Sequence, residues 1–141
     1  METEFSVPTQ KRTELVDITA MVTDAITHSG VSEGVCHLFV PHTTAGVTLN
    51  ENWDPTVRED IITALDRIVP ATGGYRHREG NAPAHIKASL VGHTLTLLVR
   101  YGQLVLGSWQ GVFLAEFDGP RNRRVHLYIE GKPRTSSGTP G

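Results

Sequence analysis

The sequence predicts an α+β fold: a mainly antiparallel β-sheet with a few helices packed on one side. Three observations carry this. From Thr94 onward the chain is nearly all strand-like alternation broken by short turns. Helical periodicity is confined to stretches that begin near Thr19, Pro55 and Ala82. These stretches do not alternate regularly with strands, which argues against a doubly wound parallel sheet. The chain of 141 residues is one domain's worth, long enough for a real core. We expect a single domain over residues 1–130. Residues 131–141, rich in Ser, Pro, Thr and Gly, are expected to be a disordered tail.

Residues 4–8 read as a first strand, and residues 11–16 continue or pair with it. Asp17-Ile18-Thr19 opens a helix in which Met21, Val22, Ala25 and Ile26 share one face. Gly30 ends it, because glycine accepts the left-handed conformation there. His28 fits the last turn, where a cation is favoured. Residues 34–42 alternate as a strand, with Leu38, Val40 and His42 on one side and His37, Phe39 and Pro41 on the other. Residues 45–50 form a short strand. Asp54 then reads as an N-cap, with Pro55 at the first helical position where no donor is lost. Val57, Ile61, Leu65 and Ile68 make a stripe to be buried, while Arg58, Glu59, Asp66 and Arg67 face water and Pro70 stops the helix.

A glycine-rich loop over residues 71–81 leads into a helix over 82–91, with Asn81 as its cap and Gly92 as its end. Residues 94–100 alternate as a strand, Tyr101-Gly102-Gln103 turns, and residues 104–107 begin its partner. In the next strand Trp109, Phe113, Ala115 and Phe117 point one way, and Gln110, Val112, Leu114 and Glu116 the other. Asp118-Gly119-Pro120 is a turn into a last strand over residues 123–130.

Composition narrows the function. A formal net charge of −2 gives no field that would draw nucleic acid or an anionic membrane. Cys36 is the one cysteine, so neither an internal disulfide nor a cysteine-based zinc site can form. No stretch approaches the roughly 20 apolar residues of a membrane span, and the polar N-terminus lacks a signal peptide's apolar run, so a cytoplasmic location is expected. Seven histidines are the compositional hint of chemistry, since imidazole both ligates metals and moves protons.

Dinucleotide, P-loop, HExxH and CxxC motifs are absent. A polar run from His42 to Asp60 sits instead at a junction of strand, turn, strand and helix, the kind of junction that puts side chains into a cleft. His77 and His85 lie eight residues apart, in a loop and at a helix start. With His42 they would complete a metal site; without it they are two surface histidines and a strand-end one, and no standard ligand spacing decides between these. Glu51 is either a proton-transfer group or a solvated acid. Arg121, Arg123 and Arg124 either grip a phosphate or carboxylate, or protect an edge strand from self-pairing.

The blocks His42-Thr43-Thr44-Ala45, Asn50-Glu51-Asn52-Trp53-Asp54-Pro55, Tyr75-Arg76-His77, Ala84-His85-Ile86-Lys87-Ala88-Ser89 and Leu106-Gly107-Ser108-Trp109-Gln110-Gly111, with Glu116 and the arginine pair, resemble the YjbQ family (UPF0047) in order over nearly the whole chain. Thr44 stands where family members often carry Ser, and the hydroxyl is kept. The resemblance implies a YjbQ-like α+β fold with an antiparallel sheet, assembled as a homotrimer. It also implies a cytoplasmic protein described either as uncharacterised or as a secondary thiamine-phosphate synthase, a transferase joining a pyrimidine pyrophosphate to a thiazole phosphate. On this footing His42, His77 and His85 are the expected holders of a divalent metal (Zn or Mg) or of an anion. His85 and Glu51 are the expected catalytic pair, and Asn52, Asp54, Lys87, Gln110, Glu116, Arg123 and Arg124 the expected contacts to a small phosphorylated metabolite. The competing expectation is a non-catalytic trimer that binds a metal or small ligand.

Overall fold

Two antiparallel sheets stacked face to face, rather than one, make the frame of the computed structural model, which describes residues 1–134. The elements in chain order are β1 (Glu2–Pro8), β2 (Glu14–Asp17), α1 (Thr19–Ser29), β3 (Val31–Phe39), β4 (Ala45–Glu51), α2 (Pro55–Ile68), α3 (Ala82–Val91), β5 (Thr94–Arg100), β6 (Gln103–Leu104), β7 (Gln110–Glu116) and β8 (Asn122–Pro133). One sheet has the order β1-β8-β3-β5-β6, the other β2-β7-β4. The α+β class with antiparallel pairing holds, and the second sheet is the correction. It arises because residues after Pro8 turn away from β1: the Glu14 carboxylate accepts the amides of Gln10 and Lys11 at 2.6 and 2.9 Å, and β2 then pairs with β7.

The core lies between the sheets. Cys36, Leu38, Leu97, Val125, Leu127 and Ile129 from the larger sheet meet Ala45, Val47, Val112 and Leu114 from the smaller. α1 closes one edge of this sandwich by inserting Val22 and Ile26, each worth about 1.5–3 kcal/mol when fully buried. Met21, expected on that face, is exposed. α2 and α3 cover the outer face of the smaller sheet, packing against Leu15, Phe113, Ala115 and Phe117. β7 is therefore buried on both sides, and its alternation sorts residues between two cores rather than between core and water.

Local departures follow from this layering. α2 lies at the rim, so Ile61, Ile62 and Leu65 are half-buried, Ile68 is exposed, and Arg58 lies over the Phe113 ring at 5.3 Å instead of facing water. β3 ends at Phe39, leaving His42 beyond the ladder. β6 is only Gln103–Leu104. β8 continues past the expected boundary to Pro133, paired with β3, because Gly131 and Gly34 lie opposite one another. A Cβ on either would meet the facing backbone at 2.0–2.1 Å, so two glycines let the strands stay together. The rest of the expected tail, residues 135–141, lies outside the described residues. The outward face of the larger sheet carries exposed Phe39, Leu98 and Tyr128, and among the described residues no helix covers it.

Candidate functional site

A cavity of about 470 Å³ opens where the β3–β4 connection, the loop before α3, the first turn of α3 and the β7–β8 turn meet. It is lined by His42, His77 and His85 together with Thr43, Glu79, Asn81, Asp118 and Arg121. Each imidazole arrives from a different segment. β3 runs antiparallel to β8, so the chain leaving β3 passes the start of β8, and there the Nε2 of His42 accepts the backbone N–H of Arg124 at 2.9 Å. α3 is fixed across β4 by the Val47 amide donating to the Gly92 carbonyl at 3.0 Å, which brings its first turn and His85 to the cavity. The rings of His77 and His85 stand nearly perpendicular, 80°, with centroids 5.1 Å apart.

The floor is a buried ion pair. Glu116 is 0% and Arg123 4% exposed. Arg123 grips both carboxylate oxygens, Nε on Oε1 at 2.9 Å and Nη2 on Oε2. Thr9 Oγ1 donates to Oε1 at 2.7 Å and the Asp118 amide to Oε2 at 3.1 Å. Arg123 Nη2 also donates to Thr44 Oγ1 at 2.7 Å. Burial alone would push the Glu116 carboxyl up, but the bonds from Arg123, Thr9 and Asp118 outweigh it and hold it below the usual range. Glu116 therefore spends both carboxylate oxygens on the protein, and Arg123 its Nε and Nη2. Together they build the floor, and Arg123 is also among the residues lining the cavity.

Asp118 is held in the same way: burial raises it, but Asn81 Nδ2 at 2.9 Å and Arg121 Nη2 at 3.1 Å bring it down overall. Asn81 thus bonds Asp118 with its side chain and serves α3 only through its backbone carbonyl, not as the expected side-chain cap. His42 is shifted down, first by burial and next by the Arg123 charge. Because Nε2 accepts a backbone donor, the proton of the neutral ring sits on Nδ1. That leaves His42 as a hydrogen-bond donor without a spare lone pair. The fit to a three-imidazole metal centre is poor for this reason, and among the described residues no group of three His, Cys, Asp or Glu is placed to hold an ion.

The other expected residues lie elsewhere. Glu51 and Gln110 are cross-strand partners at the far end of β4 and β7, roughly 20 Å from the Ala45 end by strand rise. Asn52 packs there against Gly111, and Gln110 Oε1 accepts the Gly107 amide at 2.8 Å. Trp53 and Trp109 meet edge to face beside them, centroids 5.7 Å apart. Asp54 caps α2, accepting the Thr56 hydroxyl at 2.7 Å and amide at 2.9 Å, which lowers its pKa. Lys87 faces away from the histidine cavity, paired to Asp66. Arg124 contributes its amide. Cys36 is buried, and burial pushes its thiol up to about 11. Sequence reasoning missed Thr9, which reaches Glu116 across 107 positions with no local pattern to announce it, and the Asn81–Asp118 bond, because Asp118 reads as a turn residue.

The chain matches the family profile described as UPF0047 protein, YjbQ-like, over residues 3–132. It is 49% identical over 128 residues to a UPF0047 protein of Methanocaldococcus jannaschii, covering 91% of this chain and 93% of that one. It is 42% identical to the UPF0047 protein YugU of Bacillus subtilis, covering 90% and 97%. Among solved structures, an uncharacterized conserved YjbQ/UPF0047 protein from Clostridium acetobutylicum superposes with a TM-score of 0.89 at 48% identity, covering 91% of this chain and 99% of that one. A hypothetical protein from Aeropyrum pernix K1 gives 0.89 at 34% identity, covering 94% and 99%.

Proposed function

The chain belongs to the YjbQ (UPF0047) family, and from that premise we propose that the histidine cavity binds a small phosphorylated metabolite. The observation that carries this is the meeting of His42, His77 and His85 with Arg121 in one cavity whose buried charges already neutralise each other. His42 Nδ1–H, the Thr43 hydroxyl and the exposed part of Arg121 are donors an anion can use. His77 and His85 can take up or deliver a proton beside it.

The reaction this suits best is a transfer that releases pyrophosphate, such as joining a pyrimidine pyrophosphate to a thiazole phosphate. The thiazole nitrogen lone pair would form the new C–N bond as the C–O bond to pyrophosphate breaks. Donors fixed around the departing oxygens would stabilise their charge, and His85 would give a proton to the leaving pyrophosphate. Glu51 can join His85 only from a neighbouring copy, given the length of β4 between them. A homotrimer supplies such copies, and the uncovered Phe39, Leu98 and Tyr128 favour self-association. Zn²⁺ or Mg²⁺ would have to rely on His77 and His85 without His42.

The test is direct. Purified protein given both substrates should yield thiamine phosphate, and His85→Ala should abolish the product while keeping pyrophosphate binding. Saturable pyrophosphate binding without product would leave a non-catalytic ligand-binding protein. Absence of both would remove the reading.

A further inference from the structure

α3 serves two cavities. Residues 85 and 87 are separated by about 200° around a helix, so Lys87 points away from the side that carries His85. On that side Lys87, Asp66, Arg12, Pro83, Ala84 and Phe117 border a second cavity of about 480 Å³, which shares no lining residue with the first. Its walls are largely apolar. Lys87 is 7% exposed, yet among the described residues its Nζ has a single hydrogen-bond partner, Asp66 Oδ1. An ammonium carries three N–H donors, and leaving buried donors unmet is costly. The Asp66 side chain is 57% exposed at the rim, so its carboxylate can swing to water. The Phe117 ring lies 6.0 Å from Nζ and offers a flat wall. Arg12, 69% exposed, stands at the mouth, only loosely paired to Asp118 at 3.9 Å.

We propose that this cavity is a second binding site, for a small aromatic or apolar monocarboxylate held by Lys87 at its base and Arg12 at its mouth. Lys87 and Arg12 against Asp66 leave one positive charge in excess, which matches a single carboxylate. A phosphate dianion would face Asp66 with a second charge in an apolar setting and is disfavoured. The ring or alkyl body of the ligand lies against Phe117, Pro83 and Ala84. This inference is independent of what the histidine cavity binds.

Titration of the full chain with benzoate and with its neutral isostere benzamide, read by ligand-observed NMR, tests it. Benzoate should saturate the protein at about millimolar concentration or below, and benzamide should bind at least about tenfold more weakly. Asp66→Asn removes the competing carboxylate at an exposed position and should tighten benzoate. Arg12→Gln, also exposed, should weaken it severalfold, and Lys87→Met should abolish it. The two rim variants carry the test if Lys87→Met does not fold. Excess pyrophosphate should leave benzoate bound. Equal affinity for benzoate and benzamide, no saturation in either wild type or Asp66→Asn, or displacement by pyrophosphate would overturn the proposal.

Discussion

His42 and Arg124 are joined by a single bond, ring nitrogen to backbone amide, and that bond fixes which nitrogen of the imidazole carries its proton. Burial and the Arg123 charge hold the ring below its ordinary value of 6.5. The unfolded chain therefore takes up this proton first as pH falls. The group's stabilising contribution is whole above about pH 6.5 and drains away as pH drops from there through the folded pKa. Proton NMR should place the His42 midpoint below 6.5, and His42→Gln should flatten the stability slope in that window. A midpoint at or above 6.5 would contradict the assignment.

Glu116→Gln leaves Arg123 buried against a neutral partner and should cost about 3–5 kcal/mol in urea unfolding. Glu116→Leu with Arg123→Met should cost clearly less than the two single changes added together. The depressed Glu116 pKa acts on the same acid limb as His42, at lower pH. Its contribution is present above the ordinary 4.5 and is lost as pH falls through the folded value. Additive single and double effects would mean that the pair is not coupled.

Gly46 is where β4 and the end of α3 touch. A Cβ there would lie 2.4 Å from the Gly92 carbonyl oxygen, backbone that cannot step aside cheaply. Gly46→Ala should destabilise by about 1–3 kcal/mol and, by tilting α3, widen the gap between His85 and His42. Calorimetry with pyrophosphate should show the binding loss exceeding that of a mutation of similar cost in the sheet core.

Arg121 is the cavity's one half-exposed guanidinium, tied to Asp118 by Nε and Nη2. Arg121→Ala should weaken pyrophosphate by about tenfold with little change in melting temperature. An unchanged affinity would take Arg121 out of the binding set.

The uncovered sheet face makes its own prediction. If the proposed homotrimer assembles through this face, Phe39→Glu together with Leu98→Glu should lower the sedimentation mass from three chains to one. Monomeric wild-type protein would dispose of the trimer.

Much of the frame could be read in advance. Gly30, the Asp54-Pro55 entrance to α2, Pro70 and Gly92 are local signals, and each ends or opens an element where expected. The alternation of β7 was legible too, yet alternation cannot say whether the second face meets water or helices. The split into two sheets was not legible, because it depends on β2 choosing β7 over β1, a pairing between residues a hundred positions apart. At the site, the histidines could be named from the chain but their neighbours could not. Glu116 and Arg123 look like exposed charges on alternating strands, and only the stacking of the sheets turns both inward. Glu51 sits four residues before α2, close in sequence to His42, while a straight strand carries it to the other end of the molecule.

The edge-to-face contact between Trp53 and Trp109 uses both tryptophans in the chain, and both are exposed, 75% and 57%. Intrinsic emission consequently comes from a single spot, distant from the imidazoles. Native indoles already bathed in solvent shift little when the polypeptide melts, so fluorescence would under-report denaturation. The same light would move to the blue as soon as another surface settled over that corner, which makes the pair a ready optical gauge of what docks there.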